Sequence, residues 1–174
     1  LQRASGQAAE AEATFRETLT MLAPAIEGPS ALPGPRWQAG RSASNLGVLL
    51  LESKRNQEAG EMLRRSYDLL KTLAAEFPAV IQYQQDLSSA AYNLGLLAKR
   101  SGRSDDAARS FREAAEILET LTRRSPKTPS YRQKLAVANF ALNEVLAATA
   151  PDEAEKALRK ALEEQSALLT EFTD

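Results

Sequence analysis

The sequence predicts an all-α fold, a solenoid of antiparallel helix pairs, and three observations lead there. The first is an echo at a spacing of 48 residues: Asn45-Leu46-Gly47 returns as Asn93-Leu94-Gly95, Leu87 as Leu135, Tyr83 as Tyr131, and Phe77-Pro78 as Ser125-Pro126. Over two periods Gly6, Phe15, Arg16 and Glu17 return as Gly102, Phe111, Arg112 and Glu113. One offset shared by unrelated residue types marks a stack of similar units, each too small to bury its own apolar face. The second observation is that apolar residues within each period recur at the helical spacing of 3.6. The third is that no run of alternating β-branched or aromatic residues survives that reading as a strand.

Residues 7–27 read as a helix B, from Gln7 to about Leu22, with no helix A before it, so the single array spanning 1–174 begins mid-repeat. Pro24, Pro29, Pro33 and Pro35 with Gly28 and Gly34 predict an irregular corner over 28–36. Trp37 is expected to fill the space between that first helix B and the next helix A. The repeat over 37–78 has its helix A from about Trp37 to Lys54 and its helix B from Asn56 to Glu76, with Ala59, Leu63, Ser66, Leu70 and Leu73 as the buried stripe.

In the repeat over 79–126, Leu87, Ala91, Leu94 and Ala98 fall on one helical stripe and predict helix A from about Ile81 to Arg100. Ser101-Gly102 ends it, and Lys99 and Arg100 sit where cations favour the negative helix terminus. Ser104 reads as the N-cap of helix B, with Asp105 and Asp106 in its first turn. Ala107, Phe111, Ala114, Leu118 and Leu121 carry the stripe to Arg123-Arg124, before Ser125-Pro126. The repeat over 127–174 predicts helix A from about Ser130 to Thr149. Pro151 takes the first position of its helix B, where a missing N–H is harmless. Ala154, Leu158, Ala161 and Leu168 to Phe172 continue the stripe, one residue having been lost in the turn between the helices.

Composition narrows the functions available. Net charge is −1, from 22 Lys+Arg against 23 Asp+Glu, so no whole-chain field seeks phosphate and nucleic acid is not an expected partner. The chain has no Cys and no His, which removes disulfides, thiolate nucleophiles and the commonest general base and metal ligands at neutral pH. Adjacent carboxylates such as Asp105-Asp106 and Glu163-Glu164 point in different directions on a helix. Catalysis, a metal and a cofactor are therefore not expected. The longest apolar run, Leu46 to Leu51, is interrupted by Gly47 and is far short of the ~20 residues a bilayer span requires, so this segment is expected not to insert in a membrane. A cytoplasmic setting is favoured.

The middle repeat resembles the tetratricopeptide repeat, whose 34-residue pattern carries Leu-Gly, Ala, an aromatic and Ala at set places. Counted from Ser88, this sequence supplies Leu94-Gly95, Ala107, Phe111 and Ala114; counted from Gly40, the preceding repeat supplies Leu46-Gly47, Ala59, Leu63 and Ser66. The last repeat supplies Leu142, Ala154, Leu158 and Ala161, with Asn143 in place of the glycine. Two departures are the longer period and Ala43 and Ala91 where the family carries Trp. This long variant, with its Phe-Pro corner, Tyr and Asn-Leu-Gly, looks like the arrays attached to bacterial serine/threonine protein kinases of the planctomycete type, although no kinase motif is present. The resemblance implies a right-handed α-α superhelix of about three and a half repeats.

It also implies a non-catalytic scaffold, part of a larger signalling or regulatory protein, that binds a protein or peptide on the concave face lined by the A helices. Carried over position by position, that face takes Arg41, Ser44, Val48, Leu51 and Glu52, then Ser89, Tyr92, Leu96, Lys99 and Arg100, then Val137, Phe140, Glu144, Ala147 and Ala148. Of these Arg41, Ser89, Tyr92, Leu96, Lys99, Arg100, Phe140 and Glu144 are the candidate partner-binding residues, with Tyr92 and Phe140 as aromatic anchors. The carboxylate clamp of the chaperone-binding members is not met: Ser44, Val48, Val137 and Ala141 stand at its places, and only Asn93 fits. Asn93 and Asn45 are expected to tie a helix to backbone. The rival readings are a self-associating module, with a homo-oligomer formed through uncapped ends that expose Leu162, Leu169 or Phe172, and a small-ligand sensor.

Overall fold

The computed structural model describes residues 2–27 and 32–171, with side chains described over 6–27 and 32–170. Its helices are α1 (Gln2–Ile26), α2 (Pro33–Glu52), α3 (Asn56–Glu76), α4 (Ile81–Arg100), α5 (Ser104–Arg124), α6 (Pro129–Leu146) and α7 (Pro151–Glu171), and no strand occurs among the described residues. The fold class is all-α and helical-repeat, as expected. The chain divides into two compact units, Leu1–Asn93 and Leu94–Asp174, with the boundary inside α4.

The expected bounds of α3 and α4 and the expected end of α5 hold to the residue, because each of these helices is closed by a strong local signal. The other boundaries differ for reasons rooted in proline and turn chemistry. Pro24 lies inside α1, in its last turn, and its missing N–H removes one donor from the helix there. Pro33 and Pro35 belong to the first turn of α2, whose leading N–H groups have no partner within the helix in any case. The irregular corner expected over 28–36 therefore gives up its last four residues to α2, while Gly28 and Pro29 lie outside the described residues. Arg103, not Ser104, is the N-cap of α5, and its carbonyl accepts the N–H of Ala107 at 3.0 Å. α6 stops at Leu146, short of Thr149, where the Ala150 N–H turns back to the Leu146 carbonyl at 2.8 Å.

The 48-residue period is repeated bond by bond in the backbone. Ser53 N–H donates to Leu49 O at 3.1 Å, as Ser101 does to Leu97 at 3.0 Å; Arg55 donates to Leu50 at 2.9 Å, as Arg103 does to Ala98 at 2.9 Å. After the B helices, Val80 N–H donates to Phe77 O at 3.0 Å and Thr128 to Ser125 at 3.1 Å. Even the left-handed residue is shared: Gly102 has φ +70° and Lys54, one period earlier, φ +62°. A side chain in that region costs ~1–2 kcal/mol that glycine avoids.

Packing follows the predicted stripes. In α3 the residues Ala59, Leu63, Ser66, Leu70 and Leu73 are buried, and in α5 so are Ala107, Phe111, Ala114, Leu118 and Leu121. Opposite the α3 stripe, Ala39, Ala43, Leu46 and Leu50 of α2 are fully enclosed. Each fully buried Leu contributes ~1.5–3 kcal/mol relative to exposure, so these stripes account for most of what holds each helix pair together. Glycine sets how closely the pairs approach: a Cβ on Gly47 would lie 2.6 Å from Leu63, and one on Gly95 would lie 2.5 Å from the Phe111 ring. At the equivalent place in the last repeat Asn143 donates from Nδ2 to the Ala154 carbonyl at 3.0 Å, so there a polar bond to backbone replaces close contact.

Ion pairs on the helix B surfaces obey the same repeat. Arg16 meets Glu58 at 3.0 Å, and the residues two periods on, allowing for the deletion, are Arg112 and Glu153 at 2.5 Å. Around the first of these, Arg55 bonds Glu12 at 2.7 Å and Glu58 at 2.6 Å. The Arg55 guanidinium, and then Arg16, hold the Glu12 carboxyl below its ordinary range; Arg55 lowers Glu58, and Arg36 lowers Glu76. A carboxyl whose pKa is depressed by folding contributes stability above its unfolded value, about 4.3, and that contribution disappears as pH falls through the folded value. The wild-type melting temperature is therefore expected to fall faster than that of Arg55→Gln between pH 5 and 3, the two curves converging in acid. Parallel curves across that window would show that the network contributes nothing to folding.

Candidate interaction face

α6 has two unlike faces. Tyr131, Leu135, Ala138, Asn139 and Leu142 are buried, whereas Val137 and Phe140 remain 44% and 52% exposed, with Glu144 exposed one turn further on. An aromatic ring left half in water while its neighbours one position away are enclosed is a residue the core does not use. Lys99 Nζ reaches Glu144 Oε2 at 2.8 Å, so within the second unit the outward faces of α4 and α6 lie side by side. Leu96, one turn before Lys99, is half-buried, and Arg100 is exposed. Lys99, Glu144, Phe140 and Leu96 thus share one surface, where the charges neutralise each other and the apolar groups stay accessible.

In the first unit the expected residues have other occupations. Ser89 Oγ donates to the Gln85 carbonyl at 3.3 Å within its own helix. Arg41 is exposed, its guanidinium 5.1 Å from the centre of the Trp37 ring. Tyr92 is half-buried and belongs to this unit, while Phe140 belongs to the other. Trp37, expected at the corner between α1 and α2, engages α4: Nε1 donates to Asp86 at 2.6 Å and the ring lies 6.2 Å from Tyr83, itself 6.1 Å from Phe77. Asn93 departs from its expected backbone tie as well. Its Nδ2 donates to Ser44 Oγ at 3.3 Å, joining α4 to α2 through side chains, and Asn45 is exposed.

One feature has no counterpart in the sequence reading. Between α5, α6 and α7 lies a cleft of about 450 Å³ lined by Glu119, Thr122, Arg132, Asn139, Lys160 and Glu164 among others. Lys160–Glu119 at 2.6 Å and Arg132–Glu164 at 3.0 Å cross it, and Arg123 and Glu163 also line it. The signal that could have found it is the 41-residue offset between opposite charges on successive B helices, which Glu119–Lys160 shares with Arg112–Glu153. Asp106 is likewise held by Arg103 and Arg109, and Asp105 beside it is exposed. Among the described residues no group of three acidic, Cys or His side chains is placed to hold a metal ion, and no helix is long and apolar enough to cross a membrane.

The tetratricopeptide repeat family matches residues 88–119, which span most of α4 and α5 and include the Gly95–Phe111 contact. No curated protein matches the chain. Two solved structures of MamA are similar to it in part. One is 19% identical, covering 97% of this chain and 95% of that one with a TM-score of 0.33; the other is 16% identical, covering 95% and 97% with a TM-score of 0.31. Scores that low give the likeness no weight beyond the repeat match itself.

Proposed function

We propose that the chain is a non-catalytic protein-interaction scaffold that binds a protein or peptide on the face of its A helices, within a larger signalling or regulatory protein. The observation that supports this reading is the exposure of Phe140 and Val137 on α6 beside the Lys99–Glu144 pair. A rigid aromatic on a helical platform anchors a partner's apolar side chain at little entropic cost, and such anchors dominate binding energy where they occur. Leu96 and Arg100 are the further proposed partner-binding residues of the second unit, and Arg41, Ser89 and Tyr92 those of the first unit, with Tyr92 as its aromatic anchor.

Peptides selected from a random display library against the intact chain test the reading. Replacing Tyr92 and Phe140 together with Ala is expected to weaken the selected peptides by about 2 kcal/mol or more, roughly thirtyfold, with helicity by circular dichroism unchanged. Selected peptides that bind the double variant as well as the wild type would move the interaction to another surface.

A further inference from the structure

The repeat relation allows each face of α1 to be compared with the same face of α3 and α5. Ala11, Phe15, Thr18, Leu22 and Ala25 stand one period before Ala59, Leu63, Ser66, Leu70 and Leu73, and two periods before Ala107, Phe111, Ala114, Leu118 and Leu121. All ten later residues are buried, most of them with no accessible surface; all five on α1 are only partly buried. α1 is fixed to its own unit by a different side, through Leu19, 5% exposed, and through the Arg16–Glu58 and Arg55–Glu12 pairs. The open stripe widens on the far side onto Met21, which is 73% exposed, and beyond it stand the exposed Glu10 and Glu17.

The chain itself shows what covers such a face. Over Leu63 lies an A helix with Gly47 at the point of closest approach, and over Phe111 one with Gly95. We propose that α1 is a receptor for a single amphipathic helix of that type: a glycine or alanine opposite Phe15, an apolar residue a turn to either side, and lysine or arginine at the C-terminal end and along the edge that meets Glu10 and Glu17. The small residue is required because a ring of the size of Phe15 fills the space a larger side chain would occupy, as Phe111 does against Gly95. The basic end follows from the acidic rim and from the antiparallel direction, which brings the C-terminus of the docking helix to the N-terminal half of α1. α4 itself, ending in Lys99-Arg100, has this character, and the binding mode is that of a helix seated on an apolar groove.

The test uses the intact chain and a fluorescein-labelled synthetic peptide of residues 81–100, read by anisotropy. Saturable binding is expected, weakened tenfold or more by Gly95→Leu in the peptide and by Phe15→Glu in the chain. Thr18→Arg in the chain serves as a second variant should Phe15→Glu lose helicity by circular dichroism. Absence of saturable binding, or binding indifferent to all three changes, overturns the proposal. So does light scattering that shows a dimer of the chain which Phe15→Glu or Thr18→Arg dissociates and which the peptide cannot displace, since the occupant would then be a second copy.

Discussion

Phe111→Ala is expected to destabilise the chain by about 3–5 kcal/mol, near the top of what one large-to-small core change costs. Phe111 has no accessible surface and is the largest fully buried side chain among the described residues. Its ring lies directly on the backbone at Gly95, where even a Cβ would come within 2.5 Å. The surroundings of the lost ring therefore include a residue with no side chain to swing into the void, and the cavity stays open rather than collapsing. Against a total folding free energy of about 5–15 kcal/mol, this loss is a large part of the whole. It should also spread along the stack, because each interface in a repeat array stabilises two units. Urea unfolding followed by circular dichroism measures it, and a midpoint shift equivalent to less than about 1 kcal/mol would contradict the burial.

How much of this was legible in the sequence depended on whether the signal was local. The ends of α3, α4 and α5 were readable to the residue because Phe77-Pro78, Ser101-Gly102 and Ser125-Pro126 close helices by their own chemistry. The limits of α1 and α2 were not, since a proline reads as a breaker whether it ends a helix or, like Pro33, begins one. Ser104 reads as a cap because Ser at a helix start is the common case; here Gly102, in the left-handed region, turns the chain so that the Arg103 carbonyl opens α5 one residue earlier.

The candidate face was legible only as positions. The repeat count assigned Val137, Phe140 and Glu144 to the concave face lined by the A helices, and in the structure all three side chains are exposed. Leu162 and Leu169, expected to be exposed at an uncapped end, are 61% and 66% exposed, so the stripe read from Leu168 to Phe172 does not bury Leu169; Phe172 lies outside the described residues. What a count of residues cannot supply is the pairing between non-adjacent side chains. The Trp37–Asp86 and Asn93–Ser44 hydrogen bonds and the Lys99–Glu144 pair each join successive A helices, and depend on how far one helix slides along the next. The cleft crossed by Lys160–Glu119 was hidden for the same reason, its lining being spread over three helices with no local pattern.

Gly95→Leu is expected to cost about 3 kcal/mol, because the new side chain must enter space that the Phe111 ring already fills and the two helices cannot move apart without opening their other contacts. The helical gain of Leu over Gly, a little under about 1 kcal/mol, offsets only part of that strain. The same reasoning predicts that the two damaging changes partly repair each other. In the Gly95→Leu, Phe111→Ala double variant the leucine occupies the volume vacated by the ring, which moves the apolar group from α5 to α4 without emptying the interface. The coupling between the two sites, obtained from the four urea midpoints of the cycle, should lie toward the upper end of the ~0.5–3 kcal/mol range for residues in contact. The last repeat is a natural precedent for altering this pair, since Asn143 stands at the glycine position and Leu158 at the aromatic one. There the polar side chain turns to the Ala154 carbonyl instead of filling the gap, which leaves Leu158 less enclosed than Phe111. Two single costs that simply add would mean that Gly95 is small for some reason other than the ring it faces.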